Sequence, residues 1–188
     1  MATKTISAAP FSFLGLLVGT LVPFALAIAI FADGSWQFNV NPLSDLGISW
    51  NAFAANVFNF TCMVAGIALS IFGIGMLLIR DGADAAVGFF TAVGGVLLFA
   101  IGLFTENYSI HTIIAYSYFA IVALAVIIGV VADGLKGRKL KASICATLVV
   151  ICMGAGIGYT IPGLEVVTVL CVCAWVIVQS YSLAFAKD

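Results

Sequence analysis

Long apolar runs separated by short polar connections set the pattern of this chain. The runs cover about 11–31, 52–79, 85–104, 112–131, 144–159 and 166–185. Most are about 20 residues long, which at roughly 1.5 Å per residue crosses about 30 Å of hydrocarbon as an α-helix. None has the strict alternation of a lipid-facing barrel strand. The pattern predicts an all-α fold, a single domain over residues 1–188 forming a polytopic bundle of six transmembrane helices.

Details within the runs refine this picture. Pro10 suits the first turn of a helix, where a missing N–H costs nothing, and Pro23 predicts a kink in the first span. The stretch Ala25-Leu26-Ala27 offers a small-residue cleavage site, but the apolar core before it is longer than a signal peptide needs, so the span is expected to be retained. Small residues at Gly15 and Gly19, at Gly94-Gly95, and at Gly154, Gly156 and Gly158 predict faces for close helix contact.

The longest connection, Ala32 to Asn51, carries Trp36 and Trp50 and is expected to lie along the membrane surface, with Ser44 or Asp45 capping a short helix. Arg80–Asp84 and Ile161-Pro162-Gly163 read as turns, Thr105–His111 as a brief polar link, and Ala132–Ser143 as a basic loop.

Composition agrees with the pattern. Hydrophobic residues make up 64% of the chain and charged residues 8%, against about 25% charged in soluble domains. This is the composition of an integral membrane protein, and no basic patch suggests a nucleic-acid partner. Cys62, Cys145, Cys152, Cys171 and Cys173 all fall inside spans and read as small packing residues rather than disulfide partners.

Charge then orients the spans. Lys4, Arg80, Lys136, Arg138, Lys139, Lys141 and Lys187 all fall on one side, which predicts a multi-pass protein of the cell membrane with both termini cytoplasmic. The basic loop is expected to set topology and to meet anionic lipid headgroups. The opposite side carries Asp33, Asp45, Glu106, Glu165 and the sole histidine, His111.

Candidate chemistry clusters on that acidic side. Asn56 and Asn59, three apart on one helical face, are expected to face the bundle, because an amide in hydrocarbon needs a partner. Glu106 and His111 flank a short connection at the depth of Ser44 and Asp45, and Tyr118 continues the His111 face inward. Asp45, Glu106 and His111 form a candidate metal set for a divalent cation such as zinc, the number of protein ligands found in catalytic zinc sites. Ser44, Glu106 and His111 are the catalytic candidates, and Asp45, Asn56, Asn59 and Tyr118 the binding candidates. The plainer reading of the same residues is structural, with Ser44 or Asp45 capping a helix and the rest bonding backbone at helix ends.

Asn41-Pro42-Leu43-Ser44-Asp45-Leu46-Gly47, Phe53-Ala54-Ala55-Asn56-Val57-Phe58-Asn59, and Gly102-Leu103-Phe104-Thr105-Glu106 with Ile110-His111 resemble the pattern of the domain-of-unknown-function 998 family. The resemblance implies six spans and a polar outer cluster at Ser44, Asp45, Asn59, Glu106 and His111; it brings no activity. Thr105 stands where the family pattern leads one to expect proline.

The leading function is a metal-assisted hydrolase or transferase acting on a lipid or amphiphile at the outer leaflet. One alternative is a small transporter or cation-binding protein; another is a non-catalytic partner, self-associating or packed on a second membrane protein through its glycines. Whether the chain is an enzyme turns on whether the outer polar groups meet.

Overall fold

In the computed structural model, which describes residues 6–185, the apolar runs are helices. They are α1 (Ala9–Asp33), α2 (Ala52–Ile79), α3 (Ala83–Leu103), α4 (His111–Leu135), α5 (Lys139–Gly158) and α6 (Ile161–Ala184), with a short 3-10 helix at Leu43–Ile48 between α1 and α2. Six helices are long and apolar enough to cross a membrane. Lys4 and Lys187 of the basic set, and the ends of the chain, lie outside the described residues.

The α2 boundaries fall where the sequence places them, and most other ends shift by a few residues. The larger changes are at α5, which starts at Lys139 rather than about 144, and at α6, which starts at Ile161 rather than about 166. Pro162 sits in its first turn, where the absent N–H would have been unpaired in any case, so Ile161-Pro162-Gly163 opens the helix instead of turning before it. Helix α1 runs unbroken through Pro23.

Association of helices in lipid depends on close packing and small residues, since hydrocarbon chains already solvate apolar side chains. The antiparallel pair α2 and α3 meets through glycines seven residues apart, Gly66 and Gly73 against Gly88 and Gly95. A Cβ on Gly66 would lie 2.7 Å from the Gly95 carbonyl oxygen, so only glycine permits this approach. On α1, Gly19 likewise faces the Cys173 carbonyl of α6. Helix α5 packs chiefly against α4 and α6, with Cys145 and Ala155 its buried residues. The expected glycine face of α5 meets little: nothing lies within 4 Å of a Cβ at Gly154 or Gly158, and Gly156 has only Leu164 at 3.9 Å. Gly154 and Gly158 point away from the bundle because α5 sits at its edge, while Gly156 faces a loosely filled gap beside Leu164.

Two apolar clusters fill the interior. One is built around Leu69, Phe72, Trp175 and Val176, the other around Leu46, Phe58, Ile101 and Tyr118. All five cysteines are unpaired; Cys62, Cys145, Cys171 and Cys173 are buried and Cys152 is partly buried. Large apolar side chains such as Phe13, Phe24, Phe31 and Phe60 stand exposed on the outer faces, as lipid contact requires.

The basic end is stapled by charge. Asp84 at the start of α3 takes Lys136 at 2.8 Å and Arg138 at 2.6 Å, while Asp133, fully buried near the end of α4, takes Arg138 at 2.6 Å and Lys141 at 3.4 Å. The bond to Asp84 holds the Arg138 pKa above its ordinary value despite partial desolvation. The expected loop Ala132–Ser143 is reduced to Lys136–Arg138, because α4 runs on to Leu135 and α5 starts at Lys139; Lys136, Arg138 and Lys141 of its basic residues are held in ion pairs, and Lys139 has none among the described residues.

Candidate functional site

The site is assembled by the α1–α2 connection, which folds over the acidic end of the bundle. Its base is closed by Asp33, which accepts from the Ser35 and Trp36 amides and from the Ser49 hydroxyl, and by Asn51, whose amide nitrogen donates to the Ala32 carbonyl. Trp36 Nε1 donates to the Pro42 carbonyl at 2.8 Å, bracing the turn into the 3-10 helix. At the far edge Asn39, in the left-handed region at φ 64°, accepts from the Thr160 amide at 2.8 Å, and Phe38 packs edge-on against Tyr159. The connection is therefore fastened to both α1 and the α5–α6 turn.

That fastening fixes Ser44. The 3-10 helix has Pro42 as its N-cap with no side-chain cap, so neither Ser44 nor Asp45 plays the capping role expected of it. Both lie inside the first turn, and Ser44 is free to bond elsewhere. Its hydroxyl donates to Oε1 of Glu106. Glu106 is held in the α3–α4 connection, where Tyr108 N–H donates to Thr105 O at 2.9 Å and His111 N–H to Tyr108 O at 3.0 Å; the turn forms with threonine in place of the expected proline.

His111 is 5% exposed, with Nδ1 2.6 Å from the Phe104 carbonyl oxygen. A carbonyl only accepts, so Nδ1 carries a proton, and in the neutral imidazole Nε2 is the nitrogen with the lone pair. Because the histidine's Nδ1 is spent on backbone and Ser44 bonds directly to Glu106, these residues form no serine–histidine–carboxylate relay. They form a serine–carboxylate pair beside a histidine held by its own backbone partner.

Ser44, His111 and Glu165 line the mouth of a cavity of about 70 Å³ that runs into the bundle core, its walls otherwise mostly apolar but including Thr61 and the buried Tyr118. Ser44, Glu106, His111 and Glu165 also border a wider cleft of about 480 Å³ between α4 and α6. Glu165 was counted only among the outer acids by sequence; it enters the site because Pro162 starts α6 early and places the carboxylate on the first turns of the helix. There its Oε2 accepts the Leu43 amide at 3.2 Å. The proline at the helix start was the available signal.

The remaining candidates divide. Asn59 Nδ2 donates to the Gly47 carbonyl at 2.9 Å and supports the 3-10 helix from below, while its Oδ1 is buried without a partner. Asn56 is exposed and turned away from the bundle, contrary to expectation, since the packing of Ala54, Phe58 and Cys62 rotates that face outward. Asp45 accepts from Asn41 at 3.0 Å and lines neither cavity.

Among the described residues no three His, Cys, Asp or Glu side chains gather closely enough to hold a metal ion. The expected Asp45, Glu106 and His111 set is not assembled, so a divalent cation such as zinc has no three-ligand seat here. The reason is local: Asp45 is turned to Asn41, Glu106 to Ser44, and His111 to the Phe104 backbone.

Fold and site together define an integral membrane protein of six helices with a polar mouth at one end of an apolar interior. Residues 16–181 match the family model described as "Protein of unknown function (DUF998)", and the chain belongs to that family. No curated protein and no solved structure was found to match the chain.

Proposed function

We propose that this protein is a membrane-embedded hydrolase or transferase acting on an ester-linked lipid or amphiphile, with Ser44 as nucleophile and Glu106 as its base. The observation that carries the reading is the Ser44–Glu106 hydrogen bond at the rim of an apolar cavity. A hydroxyl is a weak nucleophile until an adjacent base takes its proton, and such a pair within bonding reach is the signature of covalent catalysis. Ser44 Oγ attacks the ester carbonyl as Glu106 accepts its proton, and the alcohol leaves with that proton. The acyl group then passes to water or to a second alcohol, whose proton is taken by Nε2 of His111 and returned to Ser44 Oγ as the acyl–serine bond breaks. The mouth faces the outer leaflet, on the strength of the basic residues gathered at the other end.

Transport fits less well, because the deep end of the cavity is walled by Val18, Leu69 and Val176, and beyond the mouth its lining holds no charged side chain among the described residues. The test is covalent labelling with an alkyl fluorophosphonate on purified protein. Ser44 should be labelled in the wild type and Ser44→Ala should remain unlabelled while keeping the wild-type melting temperature. A wild type that resists labelling, or a label mapped to another residue, would refute the serine mechanism.

A further inference from the structure

The wide cleft beside the mouth opens into an apolar groove of about 380 Å³ that runs on between α4, α5 and α6. Small side chains where these helices face one another create it: Ala123 on α4, Cys152 and Gly156 on α5, and Cys171 on α6, with the rings of Phe119 and Trp175 as walls. Helix α5 covers it loosely, with Cys145 and Ala155 its buried residues. Groove and cleft are continuous, since Phe119, Ala123, Leu164 and Thr168 line both, and the cleft also holds Ser44, Glu106 and His111.

The dimensions of the groove match one hydrocarbon chain. From Leu164 to Trp175 it follows α6 for eleven residues, about 16 Å at the usual rise, and the hydrocarbon of a single leaflet is about 15 Å deep. At roughly 30 Å³ per methylene, close to the volume of a water molecule in the liquid, the groove holds about a dozen methylenes and the core cavity of about 70 Å³ only two or three. The groove also runs as a lipid chain does, from the depth of the mouth toward the middle of the membrane, because α6 starts at the acidic end. A chain lying in it brings its ester to Ser44 without leaving the leaflet.

We propose that the ligand of the mouth is a long-chain acyl ester with one seated chain, its carbonyl at Ser44 and its chain passing through the cleft into the groove beneath α5. This rests on the reading of Ser44 as nucleophile and names the substrate class. Apart from Thr168, Cys152 and Cys171 the groove is lined with hydrocarbon, and the polar end of the path is the Ser44–Glu106 pair. In lipid the gain is contact rather than transfer from water: the chain supplies the partner atoms that the small side chains leave out. Glu106 and Glu165 border the cleft and no Lys or Arg does among the described residues, so an uncharged head is favoured over an anionic one.

The test is photo-crosslinking of the whole chain in phosphatidylcholine nanodiscs, using monopalmitoylglycerol with a diazirine near the end of its chain and peptide mass spectrometry as the readout. Crosslinks should concentrate at the deep end of the groove, on Ile127, Leu148 and Trp175. Ala123→Phe, which fills the groove from α4, should cut them at least about tenfold while leaving those on the outward-facing Phe13 and Phe24 of α1 within about twofold. Gly156→Phe fills the same groove from α5 and serves if the first variant fails to fold. Crosslinks spread evenly over the outer faces, as freely exchanging lipid gives, or groove crosslinks undiminished in the filled variant, overturn the proposal. Fluorophosphonate labelling of the same wild-type preparation separates the two readings. Groove crosslinks with an unreactive Ser44 overturn the catalytic reading alone, and a reactive Ser44 without groove crosslinks overturns the seat of the chain alone.

Discussion

Ser44 and Glu106, 62 positions apart in sequence, are joined by a hydrogen bond from serine hydroxyl to carboxylate, while the nearby His111 spends its Nδ1 proton on the Phe104 carbonyl. Two bases with separate partners should divide the work between two half-reactions. Glu106→Gln should slow fluorophosphonate labelling and ester turnover together, by about 10²–10⁴-fold. His111→Gln should leave labelling near wild type but cut steady-state turnover by about 10²-fold or more, with acyl-enzyme accumulating in intact-mass spectra. Parallel losses of labelling in both variants would assign His111 a structural role instead.

Asp133 is fully buried between Arg138 and Lys141. Removing one partner of a buried ion pair leaves uncompensated charge, so Asp133→Asn should cost about 3–5 kcal/mol. Lys136, whose side chain is 46% exposed, pairs with Asp84 at the surface, and Lys136→Ala should cost no more than about 1 kcal/mol. Thermal unfolding in detergent ranks the two; equal costs would contradict the burial argument.

Glycine substitutions should separate packed from open faces. Gly66→Ala drives a methyl into the α3 backbone and should destabilise by about 1–3 kcal/mol, as overpacked contacts do. Gly154→Ala meets nothing within 4 Å and removes a flexible residue from a helix, so it should be neutral or stabilising by up to about 1 kcal/mol. Melting temperatures of the two variants, side by side, decide the matter.

Orientation is open to labelling. With the basic end cytoplasmic, a membrane-impermeant thiol reagent applied to intact cells should modify Gln37→Cys and spare Lys139→Cys, both positions being exposed. Modification of Lys139→Cys alone would invert the topology.

What the sequence determined by itself was what depends on composition and length: all-helical spans, their number, the limits of α2, the segregation of Arg80, Lys136, Arg138 and Lys141 to one end, and the family resemblance now confirmed. Hydrocarbon thickness and the need to pair every backbone group make such features local, readable one run at a time. The tertiary structure decided what depends on rotation about a helix axis and on contacts across long separations. Asn56 and Asn59 share a helical face by spacing, yet only Asn59 reaches a partner, because the packing of α2 sets which half of that face turns inward. Asp45, Glu106 and His111 share a depth, yet each side chain is claimed by a different neighbour, and depth alone does not bring ligands together. Glu165 joins Ser44 and His111 at the mouth only because the α1–α2 connection is strapped over the end of α6, a contact between residues 122 apart that no local pattern encodes.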